Sequence, residues 1–146
     1  MDTGNKLSTS IRRSLSAVGA NSFSLYMPEL RYMETLLYPD EVINGIVLGK
    51  YSHFIEHLSG RGILLATNKR ILLIDKKPIF SWYEELSYNV VSGVIVKSTG
   101  LRSSLVLETR AGDISMKTFN INTAQIFAKA VETQLIAQTR QLFTGS

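Results

Sequence analysis

The residues with the clearest chemical potential in this 146-residue chain are basic side chains near predicted turns. If the strands run as described below, loops at one end of a sheet present the cations Lys50, Arg61, Lys76, Lys77 and Arg110. Several cations converging on one opening attract a phosphate or an anionic lipid head group in a way that a single exposed lysine does not. The alternative is that these loops are charged only because they are exposed to solvent, as the loops of small domains commonly are.

Two histidines raise the question of a metal site. His53 and His57 are four residues apart with Glu56 between them, and on a helix this spacing would put both imidazoles on one face. The surrounding sequence favours strand or loop, and no third ligand stands at a suitable spacing. We therefore expect no bound metal and partly exposed histidines.

The usual signatures of catalysis are missing from the sequence. It contains no Gly-rich phosphate loop after a strand and no Gly-x-Ser-x-Gly motif. The adjacent Glu84 and Glu85 suggest a solvated turn rather than a catalytic carboxylate pair. We predict a protein that is not an enzyme and needs no cofactor.

The composition is that of one globular domain, with 45% hydrophobic and 19% charged residues. The absence of cysteine excludes disulfides and is compatible with a reducing compartment. No stretch approaches the roughly 18 apolar residues of a spanning helix, and the polar start does not resemble a signal peptide. We expect a cytoplasmic location, with peripheral attachment to a membrane as an option.

The charge balance favours acidic partners without selecting one. The formal net charge is +4, but the basic residues are spread along the chain. Aromatic residues are not interleaved with the basic ones, as a stacking platform for nucleic acid would require. Nucleic acid is therefore not an expected partner.

Apolar periodicity predicts helices on both sides of the main fold. Pro28 and Glu29 suit a helix start, and a short helix is predicted over residues 27–39. Apolar residues at every third or fourth position predict a long amphipathic helix over residues 123–143. The chain is thereby divided into a flexible or partly helical arm and a domain, residues 1–26 and 27–146.

Between these helices, turn signals separate short apolar runs at the spacing of an antiparallel meander. The strongest turn signal is Asn68-Lys69, which tolerates a tight reversal between the two Leu and Ile runs of residues 62–77. That segment is predicted to be a hairpin. The other predicted strands are residues 42–51, 79–83, 88–97, 102–109 and 114–119.

The hairpin also carries a family likeness. Its Thr67 to Arg70 stretch, Thr-Asn-Lys-Arg between two hydrophobic strands, resembles a signature of bacterial pleckstrin-homology domains, the YokE-like group in particular. The Tyr38 to Glu41 stretch, Tyr-Pro-Asp-Glu, is similar to the same family. The resemblance implies a mainly β fold with α: a bent seven-stranded barrel or two-sheet sandwich, capped by the C-terminal helix and preceded by a helical extension.

The resemblance implies less about function, because one fold hosts many functions. Eukaryotic pleckstrin-homology domains that bind phosphoinositides cluster Lys and Arg after the first strand and on the next one. Here that region lacks a dense Lys-x-Arg-x-Arg pattern and holds Lys50, His53, His57 and Arg61. Thr67 and Arg70 match the family signature, and we expect them to maintain the hairpin.

Both faces of the hairpin are apolar, although a barrel wall needs only one apolar face. Leu64, Leu72 and Ile74 are therefore interface candidates if nothing covers them. The short helix from Glu29 to Tyr38 is one cover, and a second subunit is the other. We predict a binding or assembly module for a protein partner or a second copy. The alternative is peripheral binding of anionic lipid head groups or other phosphate-bearing ligands through the basic loops.

Overall fold

The computed structural model describes residues 7–20, 23–53 and 58–144. These residues form helices and strands with the bounds α1 Thr9–Ala17, α2 Met27–Leu36, β1 Ile43–His53, β2 Leu58–Thr67, β3 Ile71–Lys76, β4 Ser81–Leu86, β5 Val91–Thr99, β6 Arg102–Thr109, β7 Ile114–Thr118 and α3 Ile121–Thr144. Short 3-10 turns at Ser24–Tyr26 and Tyr88–Val90 precede α2 and β5.

The seven strands form one antiparallel sheet in the order β4-β3-β2-β1-β7-β6-β5. Strands β1 and β7, which are distant in the chain, pair over residues Lys50 to His53 and so join the two halves of the sheet. Helix α3 packs on β1, β5 and β6. The predicted mainly β fold with a capping C-terminal helix is confirmed, and β4 and β5 are the two edges of an open sheet.

Strand β4 differs from its predicted position and content. The sequence analysis places a strand at residues 79–83 and a solvated turn at Glu84 and Glu85, but β4 spans Ser81–Leu86 and includes both glutamates. Each glutamate has a partner on another strand or turn: Glu84 pairs with His53, and Glu85 pairs with Arg70. These long-range ion pairs are not visible in a local sequence pattern.

The turn between β2 and β3 is built around the side chain of Thr67. Its hydroxyl oxygen accepts hydrogen bonds from the backbone N–H groups of Lys69 and Arg70, both at 3.1 Å, and donates to Glu41 Oε2 at 2.6 Å. The side-chain oxygen of Asn68 accepts from the backbone N–H of Val42 at 2.7 Å. The turn is thus tied to the start of β1, which agrees with the structural role expected for Thr67.

Arg70 is buried at the centre of a charge cluster beside this turn. Its Nε donates to Glu41 Oε2 at 2.9 Å and its Nη2 to Glu41 Oε1 at 3.0 Å. Nη1 donates to Glu85, Nη2 also donates to the Leu36 carbonyl, and the guanidinium lies 4.4 Å from the centre of the Tyr38 ring. Burial raises the pKa of Glu41, but the hydrogen bonds to its carboxylate, those from Arg70 foremost, outweigh burial and lower that pKa.

Apolar side chains form two cores, one on each face of β1, β2 and β3. The inner core lies between the sheet and α3 and includes Val47, Leu64, Leu73, Leu105, Leu107, Phe127 and Val131. The outer core lies beneath α1 and α2 and includes Leu15, Leu30, Met33, Ile46, Ile63, Leu65, Leu72 and Ile74. A strand buried on both faces explains why the hairpin sequence is apolar throughout.

The three interface candidates are therefore enclosed by the chain itself. Leu64 belongs to the inner core, Leu72 and Ile74 belong to the outer core, and all three are fully buried. The sequence analysis left the cover of the outer face open between the chain's own helix and a second subunit. Helices α1 and α2 supply that cover, so these side chains cannot form an exposed interface in this conformation.

Helix α1 lies within the predicted N-terminal arm. Its N-cap Ser8 accepts a hydrogen bond from the backbone N–H of Ile11 at 3.2 Å, and Leu15 and Val18 are buried in the outer core. The domain boundary after residue 26 stays a prediction. Among the described residues no helix is long and apolar enough to cross a membrane.

Candidate anion-binding groove

A groove of about 790 Å³ opens beside the β1–β7 junction, where α3 begins. Residues of β1, the end of β7, the start of α3 and the segment before α2 all contribute to its walls. The groove is lined by Ala20, Leu25, Tyr26, Leu48, Gly49, Lys50, Arg61, Arg102, Lys117, Thr118, Phe119, Asn120, Ile121, Asn122 and Thr123.

Four of the lining side chains are cationic. Lys50 of β1 lies directly opposite Arg61 of β2 on one side and Lys117 of β7 on the other. Arg102, at the start of β6, holds its guanidinium 5.4 Å from the centre of the Phe119 ring. Among the residues that the structure describes, no aspartate or glutamate lines the groove. Across the three described ranges, none of these four cations forms an ion pair with a carboxylate.

The first turn of α3 adds backbone donors to the same wall. Asn120 caps the helix: its Oδ1 accepts from the backbone N–H of Thr123 at 3.1 Å, and the Thr123 hydroxyl donates to the Asn120 carbonyl at 3.0 Å. The N-terminal end of a helix carries a partial positive charge. That end therefore reinforces the cationic character which the four side chains give the groove.

Tyr26 supplies a phenolic hydroxyl at the wall opposite α3. Burial raises the pKa of Tyr26, the charge of Arg61 opposes that rise, and the charge of Glu29 adds to it. The hydroxyl is thus a neutral hydrogen-bond donor at ordinary pH, next to the field of Arg61.

Only part of the predicted cation set converges on the groove. Lys50 and Arg61 line it, but they lie within strands β1 and β2 and not in the loops where the sequence analysis places them. Lys77 is engaged elsewhere: its Nζ lies 2.6 Å from Asp75 Oδ1 and donates to the Arg61 carbonyl at 3.0 Å. Lys76 Nζ donates to the Lys77 carbonyl at 3.1 Å, so these two lysines do not line the groove.

Arg110 is also separate from the groove. It lies in the turn between β6 and β7, where its backbone N–H donates to the Val90 carbonyl at 2.9 Å and its Nη2 donates to the Asn89 carbonyl. These hydrogen bonds hold the β6–β7 turn against the residues that precede β5. Of the five predicted cations only Lys50 and Arg61 therefore line this groove, together with Arg102 and Lys117.

Away from the groove, the inner face carries a buried polar pair. The Tyr51 hydroxyl on β1 donates to Asp75 Oδ2 on β3 at 2.6 Å, across the intervening strand β2. The two side chains can meet across β2 because the residues between them are glycines. A Cβ on Gly60 would lie only 3.2 Å from Asp75 Oδ2, and a Cβ on Gly62 only 3.1 Å from the Tyr51 ring. Burial and the Asp75 carboxylate raise the pKa of Tyr51. Lys77 is thus bound to a buried structural pair.

His53 belongs to the same face and differs from its predicted state. It is only 2% exposed rather than partly exposed, and its Nε2 lies 2.8 Å from Glu84 Oε2. His57 falls outside the described residues. Among the residues described, no group of three or more His, Cys, Asp or Glu side chains is placed to hold a metal ion.

The seven-stranded bent sheet with its C-terminal helix defines the class of protein as a pleckstrin-homology (PH) domain. Within that class, the sequence model of the family described as "Bacterial PH domain" matches residues 37–133. The chain belongs to this family. Its assignment to the YokE-like group stays a prediction.

Several solved structures are similar to this chain at low sequence identity. The Vps36 N-terminal PH domain matches with a TM-score of 0.53 and 20% identity, over 72% of this chain and 86% of that chain. The C-terminal domain of an unknown protein from Leishmania infantum matches with a TM-score of 0.48 and 12% identity, over 66% and 85% of the two chains. The hSac2 domain from human phosphoinositide phosphatase Sac2 matches with a TM-score of 0.45 and 15% identity, over 75% and 77%. No curated protein sequence gives a significant match.

Proposed function

We propose that this chain is a non-enzymatic binding module whose groove binds a phosphate-bearing anion. PH domains commonly mediate protein or lipid binding, and both remain compatible with the fold. The observation that carries the proposal is a groove that is lined by Lys50, Arg61, Arg102 and Lys117 and, within the described part of the chain, by no carboxylate. The sequence analysis held this function as its alternative. It is now preferred because the apolar interface candidates are buried.

The pairing of like charges in the sheet supports this function. Lys50 lies opposite both Arg61 and Lys117, and like charges directly opposite each other destabilise a sheet. None of the described carboxylates lines the groove to offset this repulsion. A bound anion would convert the repulsion into attraction, because charge-assisted hydrogen bonds to phosphate oxygens are strong and short.

The size of the groove favours a ligand larger than one phosphate. Its volume of about 790 Å³ lies within the range of small-molecule sites, roughly 300–1,000 Å³. A single phosphate would leave much of this space to water and would not reach all four cations. A ligand with several phosphates, or a phosphate on a larger polar group, fits the arrangement better.

Removing two groove lysines tests the proposal. The double variant Lys50→Ala/Lys117→Ala is expected to weaken the binding of inositol hexakisphosphate at least about tenfold, since each lost charge-assisted hydrogen bond contributes roughly 1.5–3 kcal/mol. Isothermal titration calorimetry at fixed ionic strength measures the change.

The matched control is Lys97→Ala/Lys129→Ala, which removes the same charge from exposed sites on β5 and α3. This control is expected to bind within about twofold of the unmodified chain, because exposed distant charges are screened. Equal weakening by the two double variants would mean non-specific attraction. That result, or no binding by the unmodified chain, would reject the groove as a phosphate site.

The second candidate function is self-association through the edge strand β4. Ile79, in the turn before β4, is 94% exposed, and Phe80 beside it is also exposed. An edge strand presents unpaired backbone groups that can pair with the same strand of a second copy. These two features favour a symmetric dimer at this edge.

Size-exclusion chromatography with light scattering tests self-association. We expect a dimer that Ile79→Ser/Phe80→Ser shifts toward monomer, with a dissociation constant raised by about tenfold through lost apolar burial. Ile136→Ser, on the exposed side of α3, is the control. A strictly monomeric unmodified chain at high concentration contradicts the dimer.

A further inference from the structure

One wall of the groove carries an aromatic ring and a guanidinium group side by side. Strands β6 and β7 pair Ser103 with Thr118, and the residues just beyond that pair are Arg102 and Phe119. Ser103 and Thr118 are buried, so the alternation of side chains along a strand directs their two neighbours to the opposite face of the sheet. There the Arg102 guanidinium lies over the Phe119 ring, 5.4 Å from its centre. The fold thus forms a stacking pair from residues that are distant in the chain.

The local structure does not account for this exposed ring. Phe119 connects β7 to α3, but the cap of α3 is made by the next residue, Asn120. Phe119 belongs to neither of the two apolar cores that the described residues form, and it is 75% exposed. A large aromatic side chain that lines a charged groove and remains in solvent is typical of a surface that a ligand covers.

A row of cations begins beside the stacking pair. Lys117 precedes Phe119 by two residues and is therefore on the same face of the sheet, roughly 7 Å away along the strand. From Lys117 the row crosses the sheet to Lys50 of β1 and then to Arg61 of β2, with about 4.8 Å between neighbouring strands. All three cations are exposed and line the groove. The groove therefore has a flat aromatic surface next to one end of a line of positive charges.

We propose that the ligand of this groove is a free nucleotide with several phosphates. Its base stacks against Phe119 and the Arg102 guanidinium, since bases stack on aromatic rings and on planar guanidinium groups. Its phosphates bind the row of cations from Lys117 to Arg61. This inference rests on the proposed function, because it names the class of phosphate compound that the groove binds.

The layout of the groove favours a nucleotide over a phosphate compound that has no aromatic ring. In a nucleotide, a sugar separates the planar base from the first phosphate, and the further phosphates follow in a chain. The groove has the same order, because one step along β7 separates the stacking pair from the line of cations. A polyphosphate or an inositol phosphate would use the cations but leave the Phe119 ring in solvent.

A free nucleotide also suits the groove better than a strand of nucleic acid. Proteins that bind single strands stack successive bases on several aromatic side chains along a charged groove. Among the described residues that line this groove, only Phe119 and Tyr26 carry aromatic rings, and Tyr26 lies on the wall formed by the segment before α2. One stacking pair and one row of cations match one base and its phosphates.

Comparison of ATP with inorganic tripolyphosphate tests the assignment. Both carry a chain of three phosphates, and tripolyphosphate is at least as highly charged, so charge attraction alone gives ATP no advantage. The unmodified chain is expected to bind ATP at least about tenfold more tightly, because only ATP has a base to stack. Isothermal titration calorimetry at fixed ionic strength, without divalent cations, measures both dissociation constants.

Three variants show whether the stacking pair causes the preference for ATP. Phe119→Leu keeps an apolar side chain but removes the ring, and it is expected to reduce the ratio of ATP affinity to tripolyphosphate affinity by about fivefold or more. Arg102→Lys keeps the charge but loses the planar group, and it is expected to reduce this ratio about threefold. Tyr83→Leu removes an exposed ring on β4, away from the groove, and is the matched control. It is expected to retain both affinities within about twofold.

The outcomes separate the nucleotide from the proposed function. A preference for ATP that Phe119→Leu reduces and Tyr83→Leu does not reduce supports the nucleotide. Equal affinities for ATP and tripolyphosphate overturn it and leave the proposed function intact, and so does a preference that Phe119→Leu retains in full. Tighter binding of a short single-stranded adenylate oligonucleotide than of ATP overturns it and assigns the groove to nucleic acid. Failure of the unmodified chain to bind ATP, tripolyphosphate or inositol hexakisphosphate overturns both proposals.

Discussion

Replacement of Arg70 by alanine is expected to lower the free energy of unfolding by about 3–5 kcal/mol, the usual effect of removing one partner from a buried ion pair. The Glu41 side chain is fully buried and receives two hydrogen bonds from the guanidinium. Without Arg70 the carboxylate would remain buried with no opposing charge, and Glu85 and the Leu36 carbonyl would each lose a donor. Urea denaturation followed by circular dichroism measures the loss.

Two further variants show whether the loss comes from the pair itself. Arg70→Lys keeps the charge but not the two-bond fork, and it is expected to lose roughly half as much. Arg110→Ala removes an exposed arginine with backbone contacts only and is expected to cost less than about 1 kcal/mol. If Arg70→Ala is no more destabilising than Arg110→Ala, the cluster does not stabilise the turn as described.

A single methyl group on Gly45 is expected to have the second large effect. A Cβ at this position of β1 would lie 2.7 Å from the Cα of Phe127, which is backbone of α3 and cannot move alone. We expect Gly45→Ala to lower the free energy of unfolding by about 2–3 kcal/mol, as overpacking of a close contact does. Chemical denaturation provides the value.

Gly93→Ala in β5 is the matched control, because its Cβ would meet only the end of the flexible Glu108 side chain, at 3.1 Å. Both substitutions reduce the freedom of the unfolded chain to the same extent, so that contribution cancels in the comparison. Equal stabilities of the two variants would show that α3 adjusts to β1 without cost, and the close approach would then have no structural importance.

The sequence was sufficient for the elements whose signals are local. The reversal at Asn68 needs only residues close in the chain. The segment that becomes α3 has apolar residues at helical spacing, which predict a helix with one apolar face. Strand β4 was misplaced because its identity depends on distant partners. Glu84 and Glu85 appear polar and turn-like until His53 and Arg70 are known to lie beside them.

The candidate site was predictable only in part, because its side chains come together through contacts between distant parts of the chain. The sequence analysis groups Lys50 and Arg61 as loop cations, whereas the structure makes them neighbours through the pairing of β1 with β2. Lys117 lies beside Lys50 only because β1 pairs with β7, and these are the first and the last of the described strands. The alternation of burial in β7, where Met116 and Thr118 are buried, shows that Lys117 points to the opposite face of the sheet. Which strand lies next to β7 can be known only from the folded structure.

The predicted loop position of Lys77 did not show that its ammonium group is already paired. It stands two residues after Asp75, and the turn beyond β3 brings its ammonium group back onto that carboxylate. A lysine used to neutralise a buried acid is not available to a ligand. The sequence shows both residues, but the direction of each side chain is set by the turn.

The outer core sets a limit on where this protein can be divided. The family match covers residues 37–133, yet the sheet within that range presents Ile63, Leu65 and other apolar side chains to helices that precede it. The segment that the family model matches is therefore smaller than the set of residues that encloses the outer core. Transfer of residues 37–133 alone to another protein is therefore expected to leave the outer face of the sheet exposed to solvent, because the helices that cover it would be left behind.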